Sequence, residues 1–200
     1  MSPNFRRSSP SRRTADRARR ELRKRLLIVC GGVKTEKDYF HGMRDHFRSP
    51  NVTIKVDTDA RSPLHVVRKA ASSFRNNSDD FDECWAVFDV DDFDVSTAVA
   101  EAKRGNVNLA ISNPCFEYWL LLHFCEHPGS ITTRNALINV RKHLPNYDKT
   151  RLRFSDYADG VEEAVVRAEI RDRGNSSEPG VNPSTRVWRI VEQVTAKQTS

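Results

Sequence analysis

The chain has 200 residues, of which 33 are Lys or Arg and 27 are Asp or Glu, and its formal net charge is +6. This length suits one domain with a substantial core. No apolar run approaches the roughly 18 residues of a membrane span, and the basic N-terminus lacks the apolar core of a secretory signal. We therefore expect a cytoplasmic protein with no membrane partner. The four cysteines form no CxxC pair, which argues against a disulfide framework or a zinc site.

The excess positive charge lies at the start of the chain. Residues 1–25 hold 10 basic and 2 acidic residues, whereas the rest of the chain holds 23 basic and 25 acidic ones. We predict a basic, disordered arm at 1–24 and a single domain at 25–200. Such an arm suits the phosphates of a nucleic acid, but a solvated tail that aids solubility is an equally good interpretation. The candidate phosphate-binding residues of the arm are Arg19, Arg20, Arg23 and Lys24.

Strands and helices alternate in the first 125 residues. Continuous or alternating apolar patterns predict strands at 26–30, 51–58, 84–90 and 106–112. An amphipathic or apolar helical pattern follows each of them. This alternation is typical of a mostly parallel α/β sheet with helices on both faces.

The later part of the chain is predicted to be helical. Helical patterns occupy 133–144, 161–174 and 185–196. We expect this extension, about residues 128–200, to pack against the sheet as part of the same domain.

Acidic residues follow the strand predicted at 84–90. Asp89 and Asp91 are two positions apart, so in an extended chain they point to the same side. Two carboxylates this close repel each other unless a cation lies between them, and hard oxygen ligands suit Mg²⁺ or Mn²⁺. We predict a divalent-metal site at Asp89 and Asp91. In the alternative interpretation these acids only end the strand and cap the next helix.

Two further features are predicted to lie at the same edge of the sheet. In "SNPCFEYWLLLHF", Asn113 fits a helix N-cap and Pro114 the first helical position, which places Glu117 in the first turn as a candidate metal ligand or catalytic acid. In the loop after the first strand, Gly31 and Gly32 precede a helix and are followed by Lys34. This arrangement suits phosphate binding, although it is not a Walker A motif.

Five segments in the same order resemble the RloB-like protein family. They are "LLIVCGGVKTEKDYF", "VFDVDDFD", "SNPCFEYWLLLHF", "HLPNYDK" and "NPSTRVWRIVE", and they span about residues 24–195. The resemblance implies a Toprim-type fold and a metal-dependent nuclease that acts on DNA or RNA. It also implies a component of prokaryotic defence against phage, of the abortive-infection kind, often beside an ATPase partner. It leaves a homo-oligomer open.

The resemblance also identifies a departure from the family pattern. Asp89 and Asp91 match the Asp-x-Asp of the Toprim pattern, but Gly31 stands where the family has a catalytic glutamate. Glycine neither binds a metal through a side chain nor acts as an acid or base. Either Glu36 or Glu117 replaces that acid, or the chain is a non-catalytic module that binds nucleic acid or an ATPase subunit. A third interpretation, a haloacid-dehalogenase phosphatase with "FDVDD" as its Asp-x-Asp, fits less well because that motif normally follows the first strand.

Overall fold

The computed structural model describes residues 24–48, 52–59, 61–90, 95–173 and 179–195. The strands are β1 (Lys24–Cys30), β2 (Val52–Thr58), β3 (Glu83–Asp89), β4 (Asn108–Asn113) and β5 (Ser184–Thr185). The helices are α1 (Thr35–Phe47), α2 (Pro63–Asn76), α3 (Ser96–Gly105), α4 (Phe116–Leu122), α5 (Thr133–His143), α6 (Val161–Asp172) and α7 (Trp188–Thr195). Two short 3-10 helices, Phe154–Asp156 and Ala158–Gly160, precede α6.

The strands form one sheet in the order β2-β1-β3-β4-β5. The pairs β1–β2, β1–β3 and β3–β4 are parallel, whereas β5 runs antiparallel to β4. The predicted α/β architecture with a mostly parallel sheet is therefore confirmed. The edge strand β5 was not predicted, because two residues are too short to show a strand pattern.

Helices cover both faces of the sheet. Alternate residues of β1, such as Ile28 and Cys30, pack against α1 and the helices from α4 to α7. The residues between them, such as Leu27 and Val29, pack against α2 and α3. The sequence of β1 is continuously apolar because both faces of this strand are buried.

The predicted start of α4 was wrong at both Asn113 and Pro114. Asn113 is the last residue of β4, opposite Ser184 of β5, so it does not cap a helix. The helix α4 starts only at Phe116, and Cys115 takes the extended conformation of its N-cap.

Gly105 is the last residue of α3, and Asn106 adopts the left-handed conformation that follows it. Asparagine tolerates that conformation better than most residues.

Lys24, predicted as the end of the basic arm, is the first residue of β1. Its ammonium group pairs with Glu83 Oε1 at 2.5 Å. This pair lies at the amino ends of β1 and β3, the end of the sheet away from Gly31 and Asp89. The arm residues Arg19, Arg20 and Arg23 lie outside the described residues. None of the described helices has the length and apolar character that a membrane span requires.

Candidate functional site

The strand order reverses between β1 and β3, whose carboxyl ends lie side by side at this switch point. From β1 the chain moves through α1 to β2 on one side, and from β3 it moves through α3 to β4 on the other. Since α1 and α3 cover opposite faces, a crevice opens between these two strand ends. Ligands of open α/β sheets bind at such crevices. The loop after Cys30, the end of β3 at Asp89 and the start of α4 meet there.

Gly31 continues the strand geometry of β1. Its N–H donates to Val87 O at 2.7 Å, and its φ is not left-handed. A Cβ at this position would lie 3.3 Å from Phe88 Cβ and 3.6 Å from Val66 Cγ2. Both neighbours belong to the core on the α2 side of the sheet. A side chain at position 31 would therefore begin on that side.

Gly32 has a different neighbour. A Cβ at Gly32 would overlap the carboxylate of Glu36, which folds back from the first turn of α1 over the loop. The φ of Gly32 is not left-handed, so the backbone conformation itself does not require glycine. The space beside Gly32, predicted to admit a phosphate, is occupied by the Glu36 carboxylate.

The Glu36 carboxyl group is buried at the base of this loop, with the residue 7% exposed. Burial raises the pKa of Glu36, and the negative charge of Glu117 raises it further. Hydrogen bonds from the N–H groups of Glu36 and Gly32 and the positive charge of Lys149 oppose that rise. Glu36 thus retains a proton to higher pH than an exposed glutamate does.

Glu117 belongs to α4, which packs on the same face of the sheet as α1. It lies in the first turn of α4 as predicted, and the residue is 6% exposed. Its Oε1 accepts a hydrogen bond of 3.3 Å from the Tyr147 hydroxyl. Its negative charge raises the pKa of Glu36, so two buried carboxyl groups lie near each other in this crevice.

Asp89 completes the group of acids in the described part of the chain. It is the half-buried last residue of β3, opposite Ser112 of β4. Burial raises the pKa of the Cys115 thiol, and the charges of Glu117 and Asp89 raise it further. Asp89 and Glu117 therefore both lie near Cys115. Asp91, the second predicted metal ligand, lies outside the described residues, as do its neighbours Asp92 and Asp94.

The donor types, but not yet a full ligand set, fit the predicted metal. Carboxylate oxygens are the ligands that Mg²⁺ and Mn²⁺ prefer. Within the described ranges, no three His, Cys, Asp or Glu residues form a group that could hold a metal ion. A three-ligand site built on Asp89 and Glu117 would need an acid from outside the described residues, and Asp91 is the one that the sequence predicts.

The remaining predicted residue, Lys34, lies at the N-cap of α1. Its side chain is exposed, and its carbonyl accepts the N–H of Asp38 at 2.7 Å. Its position on the crevice loop is compatible with a contact to a bound phosphate.

Two residues of this region were missed at the level of the sequence. Tyr147 holds Glu117, and Lys149 acts on Glu36. Both belong to "HLPNYDK", yet nothing in their spacing indicates contact with residues 30 or more positions earlier. The connection is tertiary: Thr35 Oγ1 donates to the carbonyl of Lys149 at 3.0 Å.

Comparison with known families identifies the family of the chain. The sequence profile described as RloB-like protein matches residues 26–194. The chain belongs to the RloB-like protein family. Searches of curated proteins and of solved structures found no match. The matched range covers β1 to α7, so the crevice and all its described acids lie inside the family's shared region.

Proposed function

We propose that this RloB-like protein is a metal-dependent nucleic-acid phosphodiesterase of Toprim type, with activity that is weak because position 31 lacks the glutamate. The observation that carries the proposal is the placement of Glu36, Asp89 and Glu117 around the switch point of the sheet, with Glu36 and Glu117 buried. Burying carboxylates near one another is costly unless a ligand or proton compensates them. A divalent cation at this crevice would supply the compensation and would also attract the phosphodiester.

Each acid has a distinct role in this proposal. Asp89 and Glu117, with Asp91, would hold Mg²⁺ or Mn²⁺, which when bound neutralises charge on the phosphate. The Tyr147 hydroxyl orients Glu117. Glu36, whose pKa is raised, is the candidate proton donor to a leaving oxygen.

The second candidate is a non-catalytic binding module on the same fold. It is favoured by the geometry of position 31. A glutamate there would start on the α2 side of the sheet, whereas Glu36 and Glu117 approach from the α1 and α4 side. Neither Glu36 nor Glu117 therefore starts from the side of the sheet where a glutamate at position 31 would start. The roles in phage defence and beside an ATPase partner belong to either candidate and rest on family membership.

A cleavage assay separates the two candidates. Labelled DNA and RNA would be incubated with Mg²⁺ or Mn²⁺ and wild-type protein, Gly31→Glu, Asp89→Asn or Asp91→Ala. Asp45→Asn is the matched control, because its carboxylate is 66% exposed near the end of α1.

We expect weak wild-type cleavage that is lost in the Asp89 and Asp91 variants, kept in the control and increased in Gly31→Glu. Robust cleavage that survives Asp91→Ala would rule out the site. No cleavage by wild type, with cleavage gained only in Gly31→Glu, would support the binding module.

A further inference from the structure

A cleft adjoins the candidate site. The connection between α5 and α6 surrounds a cavity of about 600 Å³ lined by residues between Leu144 and Tyr157. Tyr147 belongs to the wall of this cavity and also donates to Glu117. Tyr147 thus connects the cleft to the carboxylate of Glu117. We call it the 144–157 cleft.

The chain segment that contains the cleft carries an excess of positive charge. Residues 141–157 hold five Lys or Arg and two Asp or Glu, a net charge of +3. Residues 26–200 as a whole hold 23 basic and 25 acidic residues, a net charge of −2. On the wall itself Arg151 and Arg153 stand beside Asp148 and Asp156, and the surplus of positive charge comes from Arg141, Lys142 and Lys149 in the same segment. This surplus reduces the repulsion that the acids of the crevice would exert on a polyanion.

The cationic groups of the wall are accessible. Arg151 and Arg153 line the cleft, and both are exposed. The side chain of Arg153 is 78% exposed and lies 3.4 Å from Asp156, an exposed pair that is worth little. Both guanidinium groups can exchange their present surroundings for phosphate oxygens at small cost.

Apolar surface completes the wall. Leu144, Pro145 and Leu152 also line the cavity. A cavity of this size accepts a small ligand such as one nucleotide, with apolar surface for the base and guanidinium groups for the phosphate. A duplex keeps its bases stacked inside and cannot place one in such a cavity.

We propose that the 144–157 cleft binds a single-stranded segment of nucleic acid and leads its backbone to Glu117 and Asp89. This inference rests on the proposed function, since it names the substrate form for the same site. It assigns strand binding to the folded domain as well as to the basic arm. DNA and RNA share the chemistry that the cleft recognises.

Fluorescence anisotropy tests the inference without chemistry. Labelled single strands of about 12 nucleotides, as DNA and as RNA, and the matching duplexes would be titrated with full-length protein in EDTA. The test variant is Arg151→Ala/Arg153→Ala. The control is Arg75→Ala/Arg104→Ala, which removes the same charge from exposed residues at the C-terminal ends of α2 and α3. Both would also be made in a full-length protein whose arm arginines are Gln.

We expect the cleft variant to bind single strands about tenfold more weakly, and the slope of log affinity against log salt to fall by about 1.4, as the loss of two phosphate contacts implies. The control should stay within twofold. Asn146→Trp, which adds a ring at an exposed position of the wall, should weaken binding without changing charge.

Equal losses in the cleft and control variants, or duplex binding as tight as single-strand binding, would overturn the inference. Cleavage assays with an Asp89→Asn protein distinguish the cleft proposal from the proposed nuclease function. Single-strand binding without cleavage by the wild type would refute the nuclease function and support the cleft. Cleavage that depends on Asp89 but is unaffected by Arg151→Ala/Arg153→Ala would support the nuclease function and refute the cleft.

Discussion

Replacing Gly32 with alanine tests whether the loop glycine exists for the sake of Glu36. The new Cβ would overlap the Glu36 carboxylate, which must then leave its position against the loop. The first turn of α1 must shift with it. Overpacking of this kind costs about 1–3 kcal/mol, so we expect Gly32→Ala to lower the free energy of unfolding by ~2 kcal/mol.

A double-mutant cycle isolates that contact. In a Glu36→Ala background the carboxylate is absent, and the φ of Gly32 lies outside the left-handed region. Alanine at position 32 should then be neutral or stabilise by up to about 1 kcal/mol. Urea unfolding at neutral pH would measure all four proteins. We expect a coupling energy of at least about 1.5 kcal/mol.

Gly31→Ala is the matched control for the cycle. Its Cβ would approach Phe88 Cβ at 3.3 Å, a contact that shifts of a few tenths of an ångström relieve. We expect an effect below about 1 kcal/mol in either background. If alanine at position 32 costs the same with and without Glu36, the carboxylate does not lie against the loop and the description of the crevice is wrong.

Three further predictions concern buried charge. Because the folded-state pKa of Glu36 is raised above 4.5, its ionisation destabilises the fold as pH rises past that value; Glu36→Gln should therefore gain stability relative to wild type from pH 4.5 to 7.5 in urea unfolding, and parallel profiles would contradict this. Burial lowers the pKa of His123 from 6.5 to about 4. The free energy of unfolding should therefore fall by ~3 kcal/mol as the pH drops from 6.5 to about 4, and His123→Gln should remove most of that loss in acid titrations. Asp172→Ala removes the charge against which Arg186 is buried and should cost ~3 kcal/mol, whereas Arg189→Ala, at a 40% exposed side chain, should cost less; similar melting temperatures for the two variants would argue against a buried ion pair.

The sequence predicted the strands that position the site because each is a local pattern. The apolar run of β1, the Asp at the end of β3 and the glutamate in the first turn of α4 follow from periodicity and the geometry of parallel sheets. The meeting of Glu117 with Tyr147 does not, because it depends on how the α5–α6 connection folds back over α1.

The glycine loop shows a second limit of the sequence. Two glycines before a helix suggest a phosphate cradle, and only the folded chain reveals that the Glu36 carboxylate lies in the space beside Gly32. Likewise, Asn113 has the residue type of a helix cap but pairs with β5, a strand whose partner lies about 70 residues away. Tertiary pairing overrides local preference at both places.

Manganese binding tests the central claim most directly, because it requires neither a substrate nor an active enzyme. Isothermal titration of Mn²⁺ into wild-type protein, Asp89→Asn, Glu117→Gln and the exposed control Asp45→Asn would compare a crevice site with general surface charge. We expect one wild-type site whose affinity falls at least about tenfold in Asp89→Asn and Glu117→Gln and is unchanged in the control. Equal Mn²⁺ affinity in wild type and Asp89→Asn would contradict a metal site at the end of β3.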